Sequence, residues 1–186
     1  MCEIEQVYFQ AIQSARCVLD VGAGDLRLMK KFRAAGYQGE YHTQDIGNEY
    51  NYTYRDLSEI KVKYDAILCL DVIEHLNLND GLALVQQLST LLTLGGTLIL
   101  QTPNARCIRN PMSWDITHLH IYNLPDLWSF IQILGFEANG YRVVFTRDAS
   151  QWRQRSPCEL LRRFVITRVL GADYADNIAV IAKKLL

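Results

Sequence analysis

The chain contains a short apolar run that leads directly into two closely spaced glycines, Cys17-Val18-Leu19-Asp20-Val21-Gly22-Ala23-Gly24-Asp25. The run 17–21 has the composition of a strand that is buried on both faces. Residues 25–35 then carry apolar side chains at helical spacing, and Gly36 supplies a helix stop. A strand that turns through glycines into a helix brings bare backbone close to a ligand, so we expect a nucleotide-type ligand here.

The alternation of strand and helix continues along the chain. Apolar runs at 64–70 and 97–102 predict buried strands, and helical spacing predicts a helix over 79–93. Two more helices follow at about 125–134 and 158–170, and two more strands follow at about 136–146 and 177–183. With two further strands expected, one at 40–45 and one that would end at Asp56, the pattern predicts an α/β, doubly wound, seven-stranded and mostly parallel sheet with a final antiparallel strand.

Length and composition limit the class of protein. A chain of 186 residues with 49% apolar and 21% charged residues predicts one globular domain over 1–186. Nineteen Lys and Arg against 20 Asp and Glu leave a net charge of -1, which excludes a polycation built to coat nucleic acid or anionic lipid. The acidic N-terminus, five cysteines without C-x-x-C spacing and the lack of a long apolar run favour a cytoplasmic protein without a membrane span.

The residues around the two glycines narrow the ligand class. A dinucleotide fingerprint requires a third glycine where this chain has Arg27, so NAD and FAD are disfavoured. Asp20 lies two places before Gly22 and can accept a hydrogen bond from a ligand ammonium group. A glycine turn without a ligand stays an alternative interpretation.

Two acidic positions further along the chain fit the rest of a nucleoside. Asp45 follows Gly24 by 21 residues, the spacing at which an acidic side chain reaches ribose hydroxyls in such folds, although it could instead form a turn with Ile46-Gly47. Asp56-Leu57 follows where a third strand would end and an adenine could lie over the sheet edge.

Five motifs in this order resemble those of class I S-adenosylmethionine-dependent methyltransferases, most closely the ubiquinone-biosynthesis-like group: Val18–Gly24, Asp45, Asp56-Leu57, Tyr64–Leu76 and Leu94–Asn104. The resemblance covers about residues 16–145. It implies S-adenosylmethionine as the cofactor. It also implies that the methionine part is bound at Asp20, Gly22, Ala23 and Gly24, the ribose at Asp45 beside Ile46, the adenine at Asp56 and Leu57, and the sulfonium region at Leu70, Asp71 and Val72.

The chain departs from this family in two places. The stretch between Asp45 and Asp56 is too short for the usual helix plus strand, which predicts a more open adenine side. Only about 15 residues precede the first strand, so we expect the N-terminal helices that often cover the substrate to be nearly absent.

Histidines after the predicted strands are candidates for catalysis. His75 follows the run 64–70, and His118 and His120 follow the run 97–102, so all three should lie at the carboxyl edge of the sheet, where ligands bind. Methyl transfer to a hydroxyl requires a proton acceptor, and we expect His75 or His118 to be the general base and His120 to contact the acceptor. Structural packing of these histidines is the alternative.

A divalent metal site is a second interpretation of this region. Asp71, Glu74 and His75, with a later histidine, resemble the ligand set of small-RNA 3′-terminal 2′-O-methyltransferases. Carboxylates and imidazoles would favour Mg²⁺ or Mn²⁺. The shorter Asp71 in place of a glutamate argues against this site, so the sequence assigns no metal ligands.

Arginines are concentrated late in the chain. Seven arginines and two acidic residues between positions 142 and 168 give this stretch a charge of +5. We expect the 147–176 insertion to form a lid over the acceptor, with contacts from Trp152, Arg153 and Arg155. A solvated helix face is the alternative.

Taken together, these features favour O-methylation of a small molecule or glycan, with nucleic acid as a less favoured acceptor. A metal-assisted RNA 2′-O-methyltransferase and a non-catalytic S-adenosylmethionine-binding domain are the alternative functions. Neither the oligomeric state nor the identity of the acceptor follows from the sequence.

Overall fold

The computed structural model describes residues 1–108, 110–144, 161, 164–169 and 171–185. Trp152, Arg153 and Arg155, which the sequence assigns to acceptor binding, lie outside the described residues. So does part of the predicted helix near 158–170, whose described residues include a short helical stretch at Val165–Val169.

Helices and strands alternate along the described chain and build one mixed sheet. The elements are α1 (Glu3–Ile12), β1 (Cys17–Val21), α2 (Arg27–Ala34), β2 (Glu40–Gln44), β3 (Tyr64–Leu70), α3 (Leu78–Leu91), β4 (Leu92–Pro103), α4 (Leu124–Ile133), β5 (Phe136–Val143) and β6 (Asn177–Lys184). The strand order is β2-β1-β3-β4-β6-β5. Only the β4–β6 and β5–β6 pairs among these strands are antiparallel. The predicted α/β, mostly parallel fold with a final antiparallel strand is therefore confirmed.

The sheet of the described residues has six strands, whereas the sequence predicts seven. Between β2 and β3, Tyr54 forms only an isolated bridge with Gln44. Asp56 does not end a strand, because its carboxylate accepts a hydrogen bond from Ser58 N (2.7 Å) and caps a 3-10 turn at Leu57–Glu59. The connection has too few residues for both a helix and a strand, so β2 lies at the edge of the sheet.

Apolar side chains are buried on both faces of the sheet. The first face is covered by α1 and α2, through Tyr8, Ile12 and Phe32. The second face is covered by α3 and α4, through Val85, Leu88, Leu127 and Ile131. Burial on both faces explains why the central strands are continuous apolar runs. Among the described helices, none is both long and apolar enough to cross a membrane.

The N-terminal residues form one helix, so the expectation of a nearly absent N-terminal cover is only partly correct. The ten residues of α1 pack on the sheet, and Tyr8 donates a hydrogen bond from its hydroxyl to Gln101 Oε1 in β4 (2.8 Å). This contact brings α1 to the carboxyl ends of the strands, where it contributes to the site described below.

Truncation of an α1 side chain tests this packing. Ile12 ends α1 and is fully buried, so Ile12→Ala should lower the free energy of unfolding by about 2–5 kcal/mol. Ile133 ends α4 and is 81% exposed, so the matched change Ile133→Ala should cost about 0.5 kcal/mol or less. Urea unfolding followed by circular dichroism measures both changes, and equal losses would contradict the packing of α1.

Candidate active site

The turn after β1 has a backbone conformation that requires glycine. Gly22 and Gly24 have φ angles of +70° and +48°. A Cβ atom on Gly22 would overlap the Val72 side chain, so the close approach of these two segments excludes a side chain. The backbone N–H groups of Gly22 and Ala23 donate to Gln44 O at the end of β2 (2.8 and 3.1 Å).

Two adjoining cavities open at the carboxyl ends of the strands, with volumes of about 380 and 540 Å³. They share Gly22 and Asp71. All the residues that the sequence assigns to cofactor binding line one cavity or the other. Those in the first cavity are Asp20, Gly22, Ala23, Gly24, Leu70 and Asp71. The second contains Asp45, Ile46, Asp56, Leu57 and Val72, together with Gly22 and Asp71. Their binding roles stay predictions.

Asp20 places a buried carboxyl group beneath the first cavity. Tyr41 donates a hydrogen bond from its hydroxyl to Asp20 Oδ2 (2.8 Å). Burial raises the pKa of Asp20 to about 7, and the Tyr41 hydrogen bond opposes this increase. A ligand ammonium group beside the carboxylate would favour its ionised form.

Asp45 connects the ends of β1 and β2. Its Oδ2 atom accepts a hydrogen bond from Gly24 N (2.8 Å), and its Oδ1 atom accepts one from Gly47 N (2.8 Å). The residue thus forms the alternative turn with Gly47 and lines the second cavity at the same time. Each oxygen retains a lone pair for a further donor such as a ribose hydroxyl.

Two histidine rings meet beside the second cavity, which His75 lines. The centroids of the His75 and His118 rings are 5.1 Å apart. His118 Nδ1 lies 2.9 Å from Pro111 O, which can only accept, so this nitrogen carries the proton. Thr117 donates its hydroxyl hydrogen to Asp115 Oδ1 (2.7 Å) and so accepts from His75 Nδ1 (2.8 Å). The tautomer inferred for each histidine from this network carries its proton on Nδ1 and leaves Nε2 as the basic nitrogen.

A model of a methyltransferase domain matches residues 1–164. The chain belongs to this family. No curated protein matches its sequence.

Three solved structures are similar in fold. An S-adenosylmethionine-dependent methyltransferase from Archaeoglobus fulgidus is 17% identical, with a TM-score of 0.75 over 96% of this chain and 90% of that one. Magnesium protoporphyrin IX methyltransferase from Synechocystis PCC 6803 with bound S-adenosylmethionine is 18% identical, with a TM-score of 0.60 over 96% and 75%. The putative methyltransferase in complex with the Haloferax volcanii Trm112 activator is 10% identical, with a TM-score of 0.68 over 98% and 89%. The prediction of a class I S-adenosylmethionine-dependent methyltransferase is confirmed.

Sequence reasoning missed three polar residues that surround Asp71 of the methyltransferase. Asp71 has a φ angle of +55°, a strained value for a residue other than glycine, and its two oxygens accept from Gln101 Nε2 and Asn177 Nδ2 (both 2.9 Å). Tyr8 holds Gln101 from the other side. Gln101 was visible as a polar residue at the end of an apolar strand, whereas neither Tyr8 nor Asn177 carried a sequence signal.

A buried carboxylate adjoins the two histidines of the methyltransferase. Glu74 is 1% exposed, accepts a hydrogen bond from the Thr102 hydroxyl (2.9 Å), and has a pKa raised to about 7 by burial. One ligand atom each of Glu74, His75 and His118 lies within 4.8 Å of the others. The alternative metal set from the sequence also included Asp71, but its carboxylate is bonded to side-chain amides of Gln101 and Asn177 instead.

His120, expected to contact the acceptor, lies beside this group. Its ring packs edge-on against Tyr122, with the centroids 4.7 Å apart. Its backbone N–H donates to Glu74 O (3.2 Å). This packing supports the structural interpretation of His120, and acceptor contact stays a prediction.

The pKa of Asp20 predicts a pH-dependent affinity for S-adenosylhomocysteine, which carries the same ammonium group as the cofactor. Because the carboxyl group must be ionised to attract that group and has a pKa of about 7, affinity should fall about tenfold between pH 8 and pH 6. Isothermal titration calorimetry measures this change. Asp20→Asn should bind more weakly and lose the pH dependence. An equal pH dependence in both proteins would contradict the role of Asp20.

Proposed function

We propose that this methyltransferase transfers a methyl group from S-adenosylmethionine to a hydroxyl oxygen of a small molecule or glycan. The observation that carries the proposal is the pair of oriented histidines beside the cavities, each with Nδ1 engaged as a donor and Nε2 left basic. Oxygen is favoured because a hydroxyl acceptor must lose a proton, whereas many other acceptors need only alignment.

The residues that line the cavities suit the cofactor in polarity. Gly24 leaves open space at the first cavity, and Asp20, which lines the same cavity, has a carboxyl group that can accept a hydrogen bond from an ammonium ion. Asp45 and Asp56 supply acceptors on the second cavity, and Leu57 supplies an apolar surface for a ring. The cofactor would supply a sulfonium-bound methyl group, which needs no further activation.

His75 is the better placed of the two candidate bases. It lines the second cavity, and its Nδ1–H group donates to Thr117, which in turn donates to Asp115. Hydrogen bonds from Thr117 hold the pKa of Asp115 below its usual range, so this carboxylate stays negative. When Nε2 of His75 accepts a proton from the acceptor hydroxyl, the chain to Asp115 stabilises the positive charge that forms on the ring.

Ligand stabilisation tests the assignment of the cofactor site. S-adenosylhomocysteine at a hundredfold excess over its Kd should stabilise the protein by about 2.7 kcal/mol, and NAD should give no shift. Gly24→Val should abolish the shift, because it places a side chain in the first cavity and strains a positive φ angle. Thermal unfolding monitors both effects. Stabilisation by NAD but not by S-adenosylhomocysteine would contradict the proposal.

A metal-assisted RNA 2′-O-methyltransferase is the second candidate function. The observation in its favour is the cluster of Glu74, His75 and His118, whose ligand atoms lie within 4.8 Å of one another. Each histidine donates its Nδ1–H group to a neighbouring oxygen, as metal-bound histidines commonly do. A divalent ion there would lower the pKa of a bound hydroxyl in place of a histidine base.

Single substitutions separate the base from the metal. With a histidine base, His75→Ala should lower turnover about 10²- to 10⁴-fold at unchanged S-adenosylhomocysteine affinity, and EDTA should have no effect. With a metal, EDTA should inhibit, Mn²⁺ or Mg²⁺ should restore activity, and Glu74→Gln and His118→Ala should both inactivate.

Turnover is measured as the methyl mass shift on a panel of hydroxylated metabolites, sugars and short RNAs. His42→Gln is the matched control, because His42 lies on β2 away from both cavities. Normal activity in His75→Ala and in His118→Ala would leave alignment as the catalytic contribution and contradict both mechanisms.

A further inference from the structure

A second group of metal-ligating side chains lies at the amino ends of the strands, whereas the cavities lie at their carboxyl ends. Cys17 and Glu40 are the first residues of β1 and β2 and are paired across these parallel strands. His42 lies two residues along β2, so its side chain is on the same face of the sheet as Glu40. One ligand atom from each of these three residues lies within 4.8 Å of the other two.

The chemistry of the three side chains matches one class of ion. They offer a sulfur, an oxygen and a nitrogen, the ligand types that bind Zn²⁺ in proteins. Ligand atoms around one tetrahedral Zn²⁺ are about 3.5–4 Å apart, so small side-chain rotations would close the group around an ion. Thiolate and imidazole ligands disfavour Mg²⁺ and Ca²⁺, which prefer oxygen. We propose that Cys17, Glu40 and His42 form a Zn²⁺ site, with water as the fourth ligand.

The surroundings of the group favour a cation. Two carboxylates, those of Glu40 and Asp65, lie close to the Cys17 thiol. The nearby cation Arg16 is paired with Asp65 (3.5 Å), and its side chain is 90% exposed to solvent. The Tyr64 hydroxyl lies 2.9 Å from His42 Nδ1 and fixes the ring, as outer partners do for histidines at metal sites.

Zinc binding at this group exchanges a proton for the metal. Binding breaks the S–H bond of Cys17, forms a Zn–S bond and releases the proton to solvent. His42 would bind through a ring nitrogen and Glu40 through a carboxylate oxygen.

The group is partly open to solvent, because Glu40 is exposed while Cys17 and His42 are half-buried. β2 is the edge strand of the described sheet, and the His42 ring packs edge-on against Tyr54 in the connection that follows it. A bound ion would join the first residues of β1 and β2 and stabilise the sheet edge by mass action. The site is independent of methyl transfer, since none of its three residues lines either cavity.

Titration of the metal-free full-length protein with Co²⁺ tests the proposal, because a Co²⁺–thiolate bond produces a charge-transfer absorption. The wild-type protein should show this absorption with one equivalent of Co²⁺, and Zn²⁺ should displace it. Cys17→Ser should abolish it, and His42→Ala should weaken binding at least tenfold. Cys107→Ser is the matched thiol control and should retain the absorption. His75→Ala should also retain it, because the Glu74, His75 and His118 cluster has no thiol.

Two outcomes would overturn the proposal. The first is an absence of the charge-transfer absorption in the wild-type protein, and the second is its persistence in Cys17→Ser. If Cys17→Ser does not fold, Glu40→Gln changes only an exposed side chain and should lower Zn²⁺ affinity at least tenfold without altering the circular dichroism spectrum. Unchanged affinity in a folded Glu40→Gln protein would equally overturn it. Because no readout is enzymatic, failure here leaves the proposed methyltransferase reaction untouched.

Discussion

The hydrogen bonds that join the first glycine turn to the end of β2 determine the geometry of the whole carboxyl edge. The Asp45 carboxylate holds the backbone N–H groups of Gly24 and Gly47, while Gln44 O accepts from Gly22. These bonds fix a turn that positive φ angles and a close contact with Val72 restrict to glycine. They also place the two cavities side by side with Gly22 between them. The predicted methionine and adenosine contacts can be made by one extended ligand only because this junction exists.

Strands that appear in the sequence as continuous apolar runs could be predicted. The apolar runs 17–21 and 64–70 coincide with β1 and β3, because strands buried on both faces are apolar throughout. The start of β4 was not predicted, since helical spacing extended the preceding helix to residue 93 although the strand begins at Leu92. The described residues form six strands instead of the seven predicted, because the chain after Asp45 is too short for the expected third strand.

The contacts that orient the site could not be predicted, because they join residues that are far apart in the chain. Tyr8 and Gln101 are 93 positions apart, and Asp71 and Asn177 are 106 apart. Which polar side chains meet depends on the strand order, above all on the insertion of β6 beside β4. The same holds for His75 and Thr117, which meet only because the loop after β4 folds back over the end of β3. Local sequence therefore predicted the residue types at the edge but not their partners.

The carboxyl edge contains two buried acids that reduce the stability of the fold. Burial raises the pKa of both Asp20 and Glu74 to about 7. An acid whose pKa is about 4 in the unfolded chain and about 7 in the folded one destabilises the folded state progressively as pH rises between those values. A cationic ligand group at Asp20, or a cation at Glu74, would favour the ionised form of the acid and restore the lost stability of the folded state. Apolar side chains at both positions would avoid the cost, so the composition of this edge reflects ligand binding more than packing.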